Sequence, residues 1–326
     1  MIHPRELIAK KPKAVSIEVS TKCTLNCIYC DRRSENSRDM SFEEFLDLKA
    51  ELKKIPGLKR VNICGIGESF LNKEIYRILE ELKEYEISMV TSGTILIDFP
   101  RLDRFGNVDM LIFSIDATDE ESIKNICGKN YDFTHLLTNL ENYLQYKKKN
   151  NSKLATLLNT TVNPSNIDEI ANIMEFARKY KFKGVNYSLE WGSEAFIIQN
   201  LEKLRGAFSD ARKKAQKYGI YCHNPFRSFC CLNLDSIVCL TGIDGDFYPC
   251  SYALNQQYKV GNIFREGFDN IWENSLYDKF KQGKLCNSCY MLRMFDINAG
   301  RITLDNSRTR QAQHNVDSIK VGANID

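Results

Sequence analysis

Hydrophobic and polar positions along this chain fall into two alternating patterns. Short runs rich in β-branched and apolar residues, at 14–20, 59–65, 87–92, 109–116, 154–162 and 184–191, have the length and composition of strands. Between and after them lie stretches with apolar residues three and four apart, at 41–55, 72–85, 98–105, 119–126, 132–149, 166–180 and 200–218, which predict amphipathic helices. Ser41 and Glu44 stand in capping-box spacing at the start of the first helix. Six strand–helix repeats predict an α/β fold with a parallel sheet and crossover helices. Right-handed crossovers would curl that sheet into a barrel or part of one. The periodicity alone does not separate this from an open doubly wound sheet.

After residue 218 the pattern changes. The segment SIVCLTGIDGDFYPCSYA (236–253) reads as a β-hairpin with Asp244-Gly245 at its turn. EGFDNIWENSLYDKFKQG (266–283) then reads as a helix. These features predict a first domain over 1–218 and a second over 219–326, the latter ending in a polar tail after residue 302.

Composition narrows the function classes. With 43% hydrophobic residues the chain can bury a sizeable core. Its 45 basic and 42 acidic side chains nearly cancel, which gives no reason to expect a nucleic acid or an anionic membrane as partner. No apolar run approaches the roughly 20 residues of a membrane span, and the first residues lack the apolar stretch of a secretory signal. A cytoplasmic location follows as the expectation. In a reducing compartment, 12 cysteines against 4 histidines point to metal before disulfide.

The first cysteine cluster, C-T-L-N-C-I-Y-C, places Cys23, Cys27 and Cys30 directly after the first strand. In parallel β/α folds the loops at that strand end carry the chemistry. Three thiolates can hold three irons of a four-iron cluster and leave the fourth open to an external ligand. A structural zinc site would want four ligands, and the sequence places no histidine or fourth cysteine nearby. Buried free thiols are the plainest alternative. Cys64 and Cys239 read as such packed thiols, whereas Cys222 reads as either structural or a thiol that returns a hydrogen atom to a substrate radical.

With Tyr29 before its third cysteine, this loop resembles the radical S-adenosylmethionine (SAM) superfamily. The resemblance implies a partial (β/α)6 TIM-like barrel. It also implies a [4Fe-4S] cluster whose open iron binds SAM, cleavage of SAM to a 5′-deoxyadenosyl radical, and hydrogen abstraction from substrate. Three further segments resemble family motifs in order. CGIGESFL (64–71) is similar to the Gly-Gly-Glu-Pro loop that meets the SAM amino group, with Gly67 and Glu68 matching and Ser69 in place of proline. VTSGT (90–94) is similar to a Thr-Asn-Gly strand end, with Ser92 replacing asparagine. FSID (113–116) is similar to a Ser-x-Asp strand end, placing Ser114 and Asp116 toward the ribose. Many relatives carry an arginine for the SAM carboxylate after strand four, where this chain has Cys127, so no arginine is carried over.

The C-terminal region resembles the family's Twitch-type extension, a shortened SPASM domain of hairpin plus helix. The pattern implies a second [4Fe-4S] cluster, auxiliary to the first, on Cys231, Cys250, Cys286 and Cys289. Cys231 suits the spacing to Gly245 slightly better than its neighbour Cys230. A zinc knuckle on the same four thiols is the alternative. No cysteine follows Cys289, so one auxiliary cluster is expected rather than the two of a full SPASM domain.

Two-cluster radical enzymes suit redox changes at unactivated C–H bonds, with electrons from a flavodoxin- or ferredoxin-like donor. Oxidation of an alcohol would also need a base, for which Glu190 at the end of strand six is the candidate. The substrate reads as a small polar metabolite such as an aminocyclitol, sugar or nucleoside, because the relatives that dehydrogenate an aminocyclitol share this layout. A ribosomal peptide is the alternative. Peptide maturases often carry a leader-binding module before the barrel, and here 13 residues precede strand one.

Overall fold

Seven parallel strands follow one another across a single sheet in chain order. In the computed structural model, which describes residues 12–30, 37–190, 192–226, 237–240, 242–248, 259–273, 290–301 and 303, the first four are β1 (Ala14–Ile17), β2 (Arg60–Ile63), β3 (Glu86–Thr91) and β4 (Val108–Ser114). β5 (Ala155–Val162), β6 (Gly184–Leu189) and β7 (Tyr221–His223) complete the series. The helices that return the chain are α1 (Phe42–Leu52), α2 (Ile75–Glu81), α3 (Phe99–Leu102), α4 (Glu120–Cys127), α5 (Phe133–Asn150), α6 (Ile170–Lys179), α7 (Glu194–Gln199) and α8 (Leu201–Tyr218). The capping box on α1 is formed: Ser41 Oγ accepts from the Glu44 amide at 3.1 Å, and Glu44 Oε2 accepts from the Ser41 amide at 2.8 Å.

The strand order separates the two architectures that periodicity left open. A doubly wound sheet reverses its strand order at a switch point. Here the order never reverses from β1 to β7, so right-handed crossovers put every helix on one face and the sheet curls as a partial barrel. The parallel series is one strand longer than expected. β7 is three residues long and follows α8 after Gly219, whose φ of +66° ends that helix, so the sheet continues past residue 218. β8 (Ile237–Leu240) then pairs in parallel with β1, and β9 (Asp246–Tyr248) and β10 (Gly261–Asn262) add antiparallel strands beyond it. The C-terminal hairpin thus extends the same sheet. Short helices α9 (Ile263–Glu266) and α10 (Phe268–Trp272) follow β10, and α11 (Tyr290–Asn298), which the periodicity did not foretell, comes after.

Alternation along the strands gives the two faces different chemistry. Val15, Ile17, Val61, Ile63, Leu111, Phe113, Leu158, Val185 and Tyr187 are buried in the core under the helices. The other face carries polar rows alongside apolar ones such as Val90–Ile112–Leu157. Ser16, Asn62 and Ser88 share one row across β1–β3, and Ser114, Asn159, Asn186 and His223 share another across β4–β7. Within these rows Ser88 donates to Asn62 Oδ1 at 2.6 Å and Asn186 donates to Asn159 Oδ1 at 3.0 Å.

The turn after β3 depends on one fully buried amide. Asn139 on α5 donates to the carbonyls of Gly93 and Ile95, each at 2.8 Å, and accepts from the Ile97 amide at 2.9 Å. Asn139→Ala leaves three buried backbone groups unpaired and is expected to cost about 2–4 kcal/mol, read as a lower midpoint in anaerobic urea denaturation.

Candidate functional site

The cysteine loop is shaped by protein contacts at both ends. The last carbonyls of α4 would otherwise lack partners. Two of them accept from the loop: the Asn26 amide bonds Cys127 O and the Ile28 amide bonds Ile126 O, both at 2.9 Å. Gly128, at φ +95°, turns the chain away just beneath the loop. At the other end, the Glu68 amide donates to Lys22 O at 2.7 Å. A Cβ on Gly67 would lie 2.1 Å from Ser20 O, so only glycine lets the loop after β2 press against the root of the cysteine loop.

The loop after β3 is laced into the same assembly by the buried Glu68 carboxylate. It accepts from Thr91 Oγ1 at 2.9 Å and from the Ser92 amide and hydroxyl, each at 2.7 Å. The Glu68 and Ser92 side chains therefore hold the loops after β2 and β3 together. Tyr131 adds a hydrogen bond from its hydroxyl to Ser92 O at 3.1 Å.

These contacts enclose a cavity of about 280 Å³ at the C-terminal ends of β1–β4. Cys23, Cys27 and Cys30 line it, and so do Tyr29, Gly67, Glu68, Ser92 and Ser114. Eight of the expected site residues, drawn from four loops, thus meet in one place. Ser114 faces the cavity from the polar row, and its hydroxyl has no partner among the described residues.

Asp116 behaves differently from its expected role. It is buried, and its carboxylate accepts from the Tyr29 hydroxyl, from the Thr161 amide at 2.7 Å and from the Cys127 thiol at 3.8 Å. Burial pushes its pKa up to about 6 against the opposing pull of these donors. Asp116 thus anchors the Tyr29 ring to the end of β4 instead of lining the cavity.

Cys127 overturns one expectation from the sequence. No fourth cysteine stood near the motif along the chain, but α4 carries Cys127 into the cavity wall that Cys27 also lines, where its thiol donates to Asp116 Oδ2 at 3.8 Å. The interaction of the two thiols lowers the Cys27 pKa and raises that of Cys127. Four thiols therefore surround the cavity. Even so, among the described residues no three His, Cys, Asp or Glu side chains converge on one point where a single ion could bind. A tetrahedral zinc ion needs such convergence, whereas a four-iron cluster takes each thiolate on its own iron. The spread of thiols, the glycine cradle at Gly67 and the unpartnered Ser114 hydroxyl fit a cluster with an external ligand better than a closed zinc site.

The two proposed catalytic side chains lie elsewhere. Cys222 is in register with Val185, on the face that packs against the helices. Burial pushes its thiol up to about 11, and the sulfur donates to His223 O at 3.9 Å. Strand parity therefore turns it away from the polar face, where a hydrogen donor to substrate would have to stand. Glu190 follows β6, with its amide bonded to Val162 O at 2.9 Å, and lies outside the cavity lining; burial raises its pKa. Cys64 is the packed thiol expected of it, pushed up to about 11 by burial. Cys230, Cys231, Cys250, Cys286 and Cys289 lie outside the described residues.

Sequence reasoning missed Glu18. It stands at the end of β1 with its carboxylate buried and accepts from the Ile66 amide at 2.7 Å, and the Gly67 and Gly242 amides pull its pKa down. Burial, the largest influence, pushes it up to about 7. One signal was present: an acid in the otherwise apolar and small run AVSIEVS, on the same strand parity as Ser16.

Comparison with known proteins bears on this geometry. Residues 17–177 match the radical SAM superfamily, and residues 231–290 match an iron–sulfur cluster-binding domain, SPASM. The chain is 28% identical over 181 residues to the probable GTP 3',8-cyclase of Methanocaldococcus jannaschii, covering 53% of this chain and 58% of that protein. It thus spans about half the length of the curated cyclases it matches. It is 21% identical over 309 residues to a tungsten-containing aldehyde ferredoxin oxidoreductase cofactor-modifying protein of Pyrococcus furiosus, covering 82% and 83% of the two chains. Streptococcus suis SuiB bound to S-adenosylmethionine superposes with a TM-score of 0.65 at 16% identity, covering 88% of this chain and 72% of that one. Native anSMEcpe with bound AdoMet gives 0.60 at 18% identity, covering 87% and 88%. These likenesses show the fold.

Two substitutions test the site's wiring. Tyr29→Phe removes one donor from buried Asp116 and is expected to cost about 1–3 kcal/mol in anaerobic unfolding while iron per chain stays at the wild-type value. Cys127→Ala is expected to leave iron content unchanged, because Cys127 supports Cys27 without being a ligand; loss of metal in this variant would make Cys127 the fourth ligand of a closed centre.

Proposed function

The chain carries a radical SAM domain followed by a SPASM-type iron–sulfur domain, and is an enzyme with SAM and [4Fe-4S] cofactors; from that premise we propose that it oxidises or epimerises a small polar metabolite. Cys23, Cys27 and Cys30 would hold the SAM-side cluster, and Cys231, Cys250, Cys286 and Cys289 one auxiliary cluster. When bound, the open-iron cluster and SAM supply the one-electron chemistry that removes a hydrogen atom from an unactivated C–H bond. A flavodoxin- or ferredoxin-like donor would supply the electron.

The protein's own share is placement and exclusion of water. The Gly67 backbone would receive the SAM amino group, and the Tyr29 ring, fixed by Asp116, would flank the cofactor. Ser114 would offer its hydroxyl to the ribose or to the substrate. Leu25, Val90 and Tyr131 give the cavity apolar wall that keeps water from the reacting atoms.

The observation that carries the substrate class is the polar row on the open face. Ser114 belongs both to that row and to the cavity, and beyond it stand Asn159 and Asn186 in register. Serine and asparagine each donate and accept, which suits hydroxyl, amine and amide groups. Neither polar row contains a lysine or arginine, so these rows offer no cationic partner to the triphosphate of a cyclase substrate. This favours an aminocyclitol, sugar or nucleoside. A peptide is the second reading, supported by the similarity to SuiB, which has been solved bound to its precursor peptide SuiA.

Anaerobic reconstitution is expected to give about eight irons per chain, falling to about four when Cys286 and Cys289 are replaced. Reduced protein with SAM should release 5′-deoxyadenosine. The triple alanine variant at Cys23, Cys27 and Cys30 should release none. Equal release from that variant would defeat the radical reading.

A further inference from the structure

Glu18 has no part in the roles assigned above. It lies five residues before Cys23 and is 6% exposed. Its carboxylate accepts from the Ile66 amide at 2.7 Å in the glycine loop after β2. On its other side β1 pairs with β8, Ser16 in register with Cys239, which brings Glu18 beside the turn that leads from β8 to β9; the Gly67 and Gly242 amides lie close enough to pull against the rise in its pKa. Gly65 makes room for this contact, since a Cβ there would lie 2.2 Å from Glu18 Oε1. Arg38 grips the same turn from the far side of the cysteine loop. Its guanidinium donates to Ile243 O at 3.1 Å and to Asp244 Oδ1 at 2.9 Å. The two sides of the cysteine loop are themselves joined, because the Thr21 amide bonds Arg38 O at 2.9 Å and Thr21 Oγ1 accepts from the Arg38 amide at 2.9 Å.

We propose that Glu18 is a positioning residue that fastens the glycine loop to the β8–β9 turn, so that the C-terminal domain sets where the SAM-facing backbone lies. The proposal rests on the SAM-site reading for its consequence, while the fastening itself stands on the contacts above. The joint also has a defined pH response. Asp244 faces Glu18 from the turn and raises its pKa, Cys64 faces it from the end of β2, and Arg38 is occupied by Asp244 and Glu44. Docked, Glu18 holds its proton up to a pKa of about 7; released into water it returns toward the ordinary value of 4.5. Docking is therefore fully favoured below the lower value, weakens as pH rises between the two, and is constant above the higher one.

The experiment is hydrogen–deuterium exchange on the reconstituted full chain, together with equilibrium binding of SAM, for wild type, Glu18→Ala and Glu18→Gln. In Glu18→Ala, peptides covering 65–68 and 242–248 should both exchange about tenfold faster, with SAM bound about tenfold more weakly. In wild type, protection of both segments, corrected for intrinsic exchange, should fall from pH 5 to 7.5. Glu18→Gln, which keeps an acceptor but cannot ionise, should show no such fall and near wild-type SAM affinity. If Glu18→Ala does not fold, the pH comparison between wild type and Glu18→Gln decides. Faster exchange in only one of the two segments, or unchanged SAM affinity with both segments loosened, would overturn the proposal. Loosening of both segments in a protein whose wild type fails to bind SAM would leave the fastening in place and remove the SAM-site reading instead.

Discussion

With every crossover from β1 to β7 on the same side of the sheet, none of the described crossover helices covers the other side. That single constraint organises the rest of the molecule. The covered face can be apolar, and is; the uncovered face must satisfy its side chains with one another, with water or with a ligand, and carries serine and asparagine in register. Parallel sheets covered on both faces have no such freedom. The cavity sits where the polar face meets the C-terminal strand ends, so the winding of the chain decides both where a ligand can lie and which chemical groups meet it.

Four loops converge at that corner, and each is held by groups that belong to another. Glu68 ties the loop after β2 to the end of β3, Asp116 ties the cysteine loop to the end of β4, and the end of α4 carries the middle of that loop. Buried carboxylates are costly unless donors surround them. Here the donors are the site's own elements, so the burial of Glu68 and Asp116 is tolerated only while the loops stay together. Glu18 repeats the scheme across the boundary with the C-terminal strands.

Most of this architecture could be read along the chain, for identifiable reasons. Six strands stood out because each is a compact β-branched or apolar run, and the cysteine motif stood out because its three members are contiguous. β7 was hidden because three residues carry no periodicity. Cys127 was hidden because its relation to Cys27 exists only once β4 and α4 have folded between them. The two readings of Cys222 stayed open along the chain because they turn on strand parity, which register with Val185 fixes only in the folded sheet. Glu68 and Ser92 line the cavity and Asp116 stands behind it, but whether a polar side chain faces a ligand or a neighbouring loop is a matter of tertiary contacts that no linear motif encodes.

The suspension of the cysteine loop between the end of α4 and the glycine loop has a consequence for assembly. In small metal-nucleated domains the binding site is absent until the ion arrives, and metal affinity is consumed in ordering the chain. Here hydrogen bonds from Asn26 and Ile28 to α4, and from Glu68 to Lys22, tie the loop to the β/α core. Part of the loop's order is thus supplied by polypeptide contacts, so that less of the affinity for a metal centre is consumed in shaping the chain.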